Sequence, residues 1–100
     1  MVERIVLFKL KSAYCDDEAR AEIADRTRRD LGALKNVRSV SVGVPADEPS
    51  KKSWDLSLVV RFDTLEDVDA YLVDPAHRAY VDDYMRERIE VIKAWNFRTD

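Results

Sequence analysis

The chain is poor in the residues that supply metal, phosphate and disulfide chemistry. It contains one cysteine, one histidine and two glycines among its 100 residues. The lone Cys15 excludes an internal disulfide and is typical of a reducing compartment. One histidine with one cysteine cannot make a zinc site, and two glycines cannot build a glycine-rich phosphate loop. We therefore predict that the protein uses neither a metal ion nor an organic cofactor.

Charge and hydropathy exclude two further classes of partner. The 17 basic residues are balanced by 20 acidic residues, for a net charge of −3, whereas nucleic-acid binders usually show a basic excess. No apolar run reaches membrane-spanning length, and the start of the chain lacks the features of a signal peptide. We expect a cytoplasmic protein without nucleic-acid or membrane partners, folded as one domain over residues 1–100.

Hydrophobic spacing predicts the element order β-α-β-β-α-α-β. Alternating apolar residues predict strands over residues 2–10, 37–44, 54–62 and 91–97. A helix is expected after the acidic run at residues 16–18, and two shorter helices after the capping residues Thr64 and Asp74. Residues 45–53 are polar and contain two prolines, so they are predicted to be a loop. This order favours the ferredoxin-like α+β fold, an antiparallel sheet with its helices on one face.

The uncovered face of this sheet is predicted to be unusually apolar. If the helices cover the side that bears Val6 and Phe8, the other side is expected to carry five apolar residues: Ile5, Leu7, Val59, Ile92 and Ala94. A sheet face in water should be more polar than this. A second copy related by a two-fold axis would cover these residues, and we predict a homodimer through the sheet face.

The segment 71–77 holds the residues best suited to acid–base chemistry. Tyr71 is expected at the end of one helix, and His77, the single histidine, in the first turn of the next. The positive helix end and burial both disfavour the imidazolium, so His77 would be a neutral general base. Tyr71 would donate a hydrogen bond to a developing enolate or aldol oxygen. In the alternative interpretation, His77 only ties the two short helices together by hydrogen bonding.

A pocket for a small apolar or aromatic ligand is predicted between helices and sheet. Arg4 lies on the same face of the first strand as Val6 and Phe8, the face expected to point inward. There it would hold a carboxylate or a thioester oxygen. Alternatively it lies near the strand end and extends to water. The pocket-wall candidates, each of which could equally be plain core, are Val6, Phe8, Ile23, Val40, Val42, Leu58, Tyr80 and Val81.

Four segments carry a family resemblance over nearly the whole chain. They are Ile5-Val6-Leu7-Phe8-Lys9-Leu10-Lys11, Val40-Ser41-Val42-Gly43, Asp55-Leu56-Ser57-Leu58 and Tyr71…Asp74-Pro75-Ala76-His77. In this order and spacing they resemble the stress-responsive dimeric α/β-barrel (Dabb) family. The resemblance implies a ferredoxin-like protomer, a barrel formed by the paired sheets of two copies, and a cavity between helices and sheet in each protomer.

The same resemblance suggests an activity. Within the family the chain looks related to olivetolic acid cyclase, which closes a linear polyketide thioester by intramolecular aldol condensation without a cofactor. The key tyrosine and histidine of that enzyme match Tyr71 and His77, whereas Arg4, Asp74 and Leu56 stand where such relatives have histidine. Three functions remain open: a cofactor-independent polyketide cyclase-like enzyme, a non-catalytic stress-response or ligand-binding protein, and a cofactor-free or haem-type monooxygenase of the same architecture.

Overall fold

The computed structural model describes residues 1–99, which form an antiparallel sheet with helices on one side. The strands are β1 (Val2–Leu10), β2 (Ser39–Gly43), β3 (Leu56–Phe62) and β4 (Ile89–Arg98). Their order in the sheet is β2-β3-β1-β4, and every neighbouring pair is antiparallel. The predicted ferredoxin-like α+β fold is confirmed.

Each α-helix begins after a short polar side chain, and Thr64 and Asp74 cap two of the helices as predicted. The helices are α1 (Asp17–Gly32), α2 (Glu48–Lys51), α3 (Leu65–Val73) and α4 (Pro75–Ala79), with a 3-10 turn at Ser12–Tyr14. Asp16 accepts a hydrogen bond from the Ala19 amide at 2.7 Å, and Thr64 accepts one from the Asp67 amide at 3.2 Å. These caps satisfy amides that have no partner within the helix.

A π-helical segment follows α4 at Tyr80–Met85, where the sequence predicts an ordinary α-helical continuation. Its wider turn is closed by the Arg86 amide, which donates to the Val81 carbonyl at 2.8 Å. Hydrophobic spacing cannot separate a π turn from an α turn over so short a stretch. Such turns are frequent at functional sites.

Residues 45–53 are not entirely a loop, as was predicted, because they contain α2. The Asp47 side chain accepts from the Ser50 amide at 2.9 Å, and Pro49 lies in the first turn, where its missing N–H costs nothing. The bounds of three strands also differ: β2 is shorter than the predicted 37–44, β3 begins at Leu56 rather than at residue 54, and β4 runs from Ile89 to Arg98 rather than over 91–97.

The register between β1 and β4 corrects the predicted open face. Val6 pairs with Ala94, and Phe8 pairs with Ile92. Directly opposed residues of antiparallel strands point to the same side. Ile92 and Ala94 therefore lie on the helix side, and their predicted place on the open face is wrong. Alternation within one strand separates its residues into two faces, but it does not reveal which residues lie opposite a given residue of the neighbouring strand.

The open face is nevertheless apolar, with other residues of β4. Trp95 lies opposite Ile5, Phe97 opposite Glu3, and Val91 opposite Lys9. Val91, Trp95 and Phe97 are 40%, 47% and 50% exposed, respectively. They continue a patch that β1 and β3 form with Ile5, Leu7 and Val59.

A buried ion pair joins α1 to the sheet. The fully buried Asp55 accepts two hydrogen bonds on Oδ1 from Arg20, at 3.0 Å from Nε and 2.8 Å from Nη2. Its Oδ2 accepts from the Leu10 amide at 2.7 Å. Both oxygens are thus engaged, which is the condition under which a buried carboxylate is tolerated.

Candidate functional site

A cavity of about 150 Å³ lies between β1, β4 and the segment that runs from α3 to the π turn. Both residues of the predicted chemistry, Tyr71 and His77, line it. The rest of the lining is mostly aliphatic or aromatic, with two arginines: Arg4, Val6, Phe8, Leu31, Leu58, Leu72, Arg78, Tyr80, Val81, Met85, Ile89 and Ile92. The site is therefore an apolar pocket with few polar groups, which is the usual composition of a small-molecule site.

Tyr71 and His77 contact each other because α3 ends and α4 begins at the same residue. Asp74 ends α3 and caps α4, accepting from the Ala76 amide at 2.8 Å. The ring centroids of Tyr71 and His77 are 4.1 Å apart, with the planes inclined by 42°. Phe62 of β3 packs edge-on against Tyr71, with centroids 5.1 Å apart. The tyrosine ring is thus held between the sheet and the imidazole.

His77 is only 7% exposed, and its Nδ1 has no hydrogen-bond partner among the described residues. Burial lowers the pKa of His77 below its usual 6.5, while the nearby backbone of Leu72 acts in the opposite direction. The positive charges of Arg78 and Arg4 lower this pKa further, and Asp74 raises it slightly. The imidazole is consequently neutral near pH 7, and one of its nitrogens is able to accept a proton.

Tyr71 remains a phenol over the whole physiological range. Burial raises its pKa to about 12, and the nearby Arg4 opposes this shift without cancelling it. A protonated phenol donates a hydrogen bond, so Tyr71 is suited to stabilise negative charge on a ligand oxygen.

Tyr80 is held by α1. Its hydroxyl lies 2.6 Å from Thr27 Oγ1, in a buried hydrogen bond in which either oxygen could donate. Burial raises the pKa of Tyr80 well above its ordinary value. The fixed hydroxyl makes Tyr80 a rigid wall residue of the pocket.

Arg4 reaches the pocket from β1 and is half-buried there. Its Nη1 donates to Asn96 Oδ1 at 3.0 Å, across the β1–β4 pair. Among residues 1–99, Arg4 forms no ion pair. The second arginine of the lining, Arg78, donates to Asp82 at 2.6 Å.

Six of the nine predicted binding residues line the pocket, and three of them lie elsewhere. The six are Arg4, Val6, Phe8, Leu58, Tyr80 and Val81. Within the described residues, the lining does not include Ile23, Val40 or Val42. Ile23 is 2% exposed in the core, and the two valines belong to β2, which β3 and β1 separate from the β4 side.

The prediction missed several residues that line the pocket, and some of them could have been identified from the sequence or from the strand register. Ile92 needed the β1–β4 register, which places it opposite Phe8 on the helix side. Arg78 directly follows His77 in the chain. Met85 could be placed only with knowledge of the π turn, which changes the angular spacing from Tyr80. Leu31, Leu72 and Ile89 gave no signal beyond their hydrophobicity.

A larger and more open groove of about 440 Å³ lies beside the segment between β2 and β3. It is lined by prolines, serines and Trp54, and its one ionisable residue, Asp55, is already engaged by Arg20. In residues 1–99, no three His, Cys, Asp or Glu side chains cluster closely enough to hold a metal ion. The smaller pocket is therefore the stronger candidate, because within residues 1–99 it alone is lined by a buried side chain with an unpartnered polar atom, beside residues suited to acid–base chemistry.

Comparison with known proteins supports the fold and places the chain among relatives. The family model described as "Stress responsive A/B Barrel Domain" matches residues 2–98. A dimeric ferredoxin-like protein of unknown function from Bacteroides fragilis is similar in structure, with a TM-score of 0.79 and 25% identity over 98% of this chain and 95% of that one. A search among curated proteins finds no match.

Two further structures share the fold at low identity. One is a putative antibiotic biosynthesis monooxygenase from Nitrosomonas europaea, with a TM-score of 0.75 and 17% identity over 99% and 98% of the two chains. The other is a hydroxynitrile lyase from Passiflora edulis, with a TM-score of 0.72 and 16% identity over 98% and 93%. Similarity at this level concerns architecture, which hosts different chemistries. None of the helices in residues 1–99 combines the length and apolarity needed to cross a membrane.

Proposed function

This chain belongs to the Dabb family of stress-responsive A/B barrel domains, and from that premise we propose that it binds a small apolar or aromatic carbonyl compound beside Tyr71 and His77. There it promotes a cofactor-independent, aldol-type reaction of the polyketide-cyclase kind. His77 is the base and Tyr71 the hydrogen-bond donor.

The observation that carries this proposal is the unpartnered Nδ1 of the buried His77. A buried polar atom without a hydrogen bond costs about 1–3 kcal/mol, so native structures rarely keep one without a use. A ligand with an acidic C–H or an O–H would give this nitrogen a partner. Because burial keeps the imidazole neutral, the nitrogen has a lone pair to offer.

The proposed reaction gives each of the two side chains one role. His77 takes a proton from the carbon next to the ligand carbonyl, and the C–H electron pair moves to form an enolate. Tyr71 donates a hydrogen bond to the enolate oxygen. The enolate carbon then attacks a second carbonyl of the same molecule, forming the C–C bond, and the resulting alkoxide takes back the proton from the imidazolium. No oxidant or reductant is consumed.

Deuterium exchange tests the first step without knowledge of the natural substrate. Acetophenone in D₂O exchanges its methyl protons when a base forms its enolate, and proton NMR measures the rate. We expect the wild type to exceed buffer, His77→Gln to fall to the buffer rate and Tyr71→Phe to lose about 100-fold. Arg38→Gln, at an exposed ion pair far from the pocket, is the matched control and should exchange like the wild type. A wild-type rate equal to buffer would remove the catalytic proposal.

Binding without turnover is the main alternative, because the same pocket would serve a carrier or stress-response protein. The close packing of Tyr71 on His77 supports this alternative, because two rigidly held rings also suit ligand binding without chemistry. The exchange experiment separates the two functions, since a pure binder has no exchange to lose on substitution of His77.

A monooxygenase is the third candidate, supported by the shared fold of the Nitrosomonas europaea protein. The pocket volume of about 150 Å³ argues against the haem version, because a cavity of roughly that size accommodates benzene. Titration with haem should leave the Soret band unshifted. A saturable shift that disappears in His77→Gln would favour the haem enzyme instead.

We further propose that the protein is a homodimer through its open sheet face and resides in the cytoplasm. The exposed Val91, Trp95 and Phe97 support the dimer, as does the dimeric Bacteroides fragilis neighbour. The single free cysteine supports the reducing compartment.

A further inference from the structure

Arg4 lines the pocket, and no carboxylate among residues 1–99 forms an ion pair with its guanidinium. Arg78, the other arginine of the lining, pairs with Asp82 at 2.6 Å, and the neighbouring Arg61 on β3 pairs with Glu3 at 2.8 Å. Arg4 has only the neutral amide oxygen of Asn96, at 3.0 Å from Nη1. A guanidinium carries five N–H donors, so most of those on Arg4 remain available.

The pocket around this charge has no acidic lining residue among those described. Its walls are aliphatic and aromatic, and the cationic groups are Arg4 and the already paired Arg78. Arg4 is half-buried as a residue and its bond to Asn96 is exposed, so its guanidinium lies at the solvent edge of the apolar pocket, where an anion can reach it. His77 lines the same pocket, so a ligand bound in it lies beside the imidazole.

Volume limits the rest of the ligand. A cavity of roughly 150 Å³ lined by aliphatic and aromatic side chains accommodates benzene, and this pocket has about that volume. A single ring or a short chain therefore fits inside, and anything larger must extend through the mouth. Ile92, which is 52% exposed on the helix side of β4, forms part of that mouth.

From these observations we infer that the ligand is a small carboxylate, with a body no larger than one aromatic ring and its carboxylate bound by Arg4. The inference rests on the proposed function only for the location of the ligand site, and not for its chemistry. Arg4 is then a specificity-determining residue that selects acids over neutral compounds of the same shape. Bidentate pairing with a carboxylate is the geometry that arginine favours.

Three probes of nearly equal shape test the charge: benzoate, benzamide and benzylamine. Isothermal titration gives the dissociation constants, and the nitrogen NMR signals of the single histidine report binding at this pocket. For the wild type we expect benzoate to bind at least about tenfold more tightly than benzamide, with benzylamine weakest. A higher salt concentration should reduce the difference in dissociation constant between benzoate and benzamide.

Variants at Arg4 identify the source of the preference. Arg4→Gln should bind benzoate and benzamide equally, whereas Arg4→Lys should keep part of the preference, since it retains the charge without the fork. Arg38→Gln removes a surface charge and should behave as the wild type. If Arg4→Gln does not fold, the Lys variant and the salt dependence of the wild type still decide.

The inference is overturned if the wild type binds benzoate and benzamide alike, if the preference survives Arg4→Gln, or if neither probe shifts the His77 signals. These outcomes are distinct from failure of the proposed function. Acetophenone exchange with no benzoate preference would leave the catalytic proposal standing without the carboxylate. A benzoate preference with no exchange would leave a carboxylate-binding protein that does no chemistry.

Discussion

The imidazole of His77 lies with its centroid 4.1 Å from that of the Tyr71 ring. The two residues meet because Asp74 ends one helix and caps the next, so that the chain turns sharply between them. A neutral proton acceptor and a protonated hydrogen-bond donor thus line one apolar pocket. This pairing is the basis of the proposed chemistry.

The titration of His77 is the first prediction, and the single histidine makes its NMR signals unambiguous. The midpoint should lie below 6.5, because burial disfavours the imidazolium. The unfolded chain then binds more protons than the folded one in the window between the folded pKa and 6.5, so stability falls as the pH falls through that window. His77→Gln should lose less stability over the same range. A midpoint at or above 6.5 would contradict the buried, neutral imidazole.

The second prediction concerns the buried pair of Arg20 and Asp55. Asp55→Asn removes the buried charge and leaves the buried guanidinium of Arg20 with only the exposed carboxylate of Asp17, at 3.2 Å, which should cost about 3–5 kcal/mol in urea unfolding. Asp63→Asn breaks the exposed pair with Arg38 and is the matched control, with an expected loss below about 1 kcal/mol. Equal losses in the two variants would show that the Asp55 network contributes no more than a surface contact.

The hydrogen bond between Thr27 and Tyr80 gives a third prediction. Thr27→Val keeps the shape of the side chain but leaves the buried Tyr80 hydroxyl without this partner, at a cost of about 1–3 kcal/mol. Adding Tyr80→Phe removes the orphaned hydroxyl, so the double variant should be more stable than the sum of the two single losses implies. Strict additivity in thermal or urea unfolding would mean that the two hydroxyls do not interact.

The fourth prediction addresses the open sheet face. Trp95→Glu places a charge in the middle of the proposed interface and should convert the dimer into monomers, as measured by sedimentation velocity. Val73→Glu changes a residue that is 75% exposed at the end of α3, away from this face, and should leave the dimer intact. A monomeric wild type, or a Trp95→Glu variant that still dimerises, would rule out this face as the interface.

The sequence predicted the features of the fold that depend on residues close together in the chain, such as helix starts and the alternation of a strand. The predicted capping residues Thr64 and Asp74 mark helix starts because each supplies an oxygen to an amide of the first turn, and the acidic run at residues 16–18 marks the start of α1. Strand β3 alternates so regularly that its buried side follows from the sequence. The short helix α2 was missed because the prolines of residues 45–53 suggested a loop, although proline is favoured in a first helical turn.

The errors in the site come from relationships between elements. Ile92 was assigned to the open face because alternation along β4 does not reveal its register against β1. Val40 and Val42 were expected at the pocket, yet β2 lies at the far edge of the sheet from β4, an order that no single strand encodes. Tyr71 and His77 were chosen for their chemistry, and their catalytic roles remain predictions.

A crystal structure of the protein as purified tests the central claim most directly. The pocket beside Tyr71 and His77 should be open, with density for a small molecule or an ordered water within about 3.2 Å of Nδ1. A collapsed, side-chain-filled interior, with Nδ1 bonded to a main-chain carbonyl, would contradict the account and reduce His77 to a structural tie between α3 and α4.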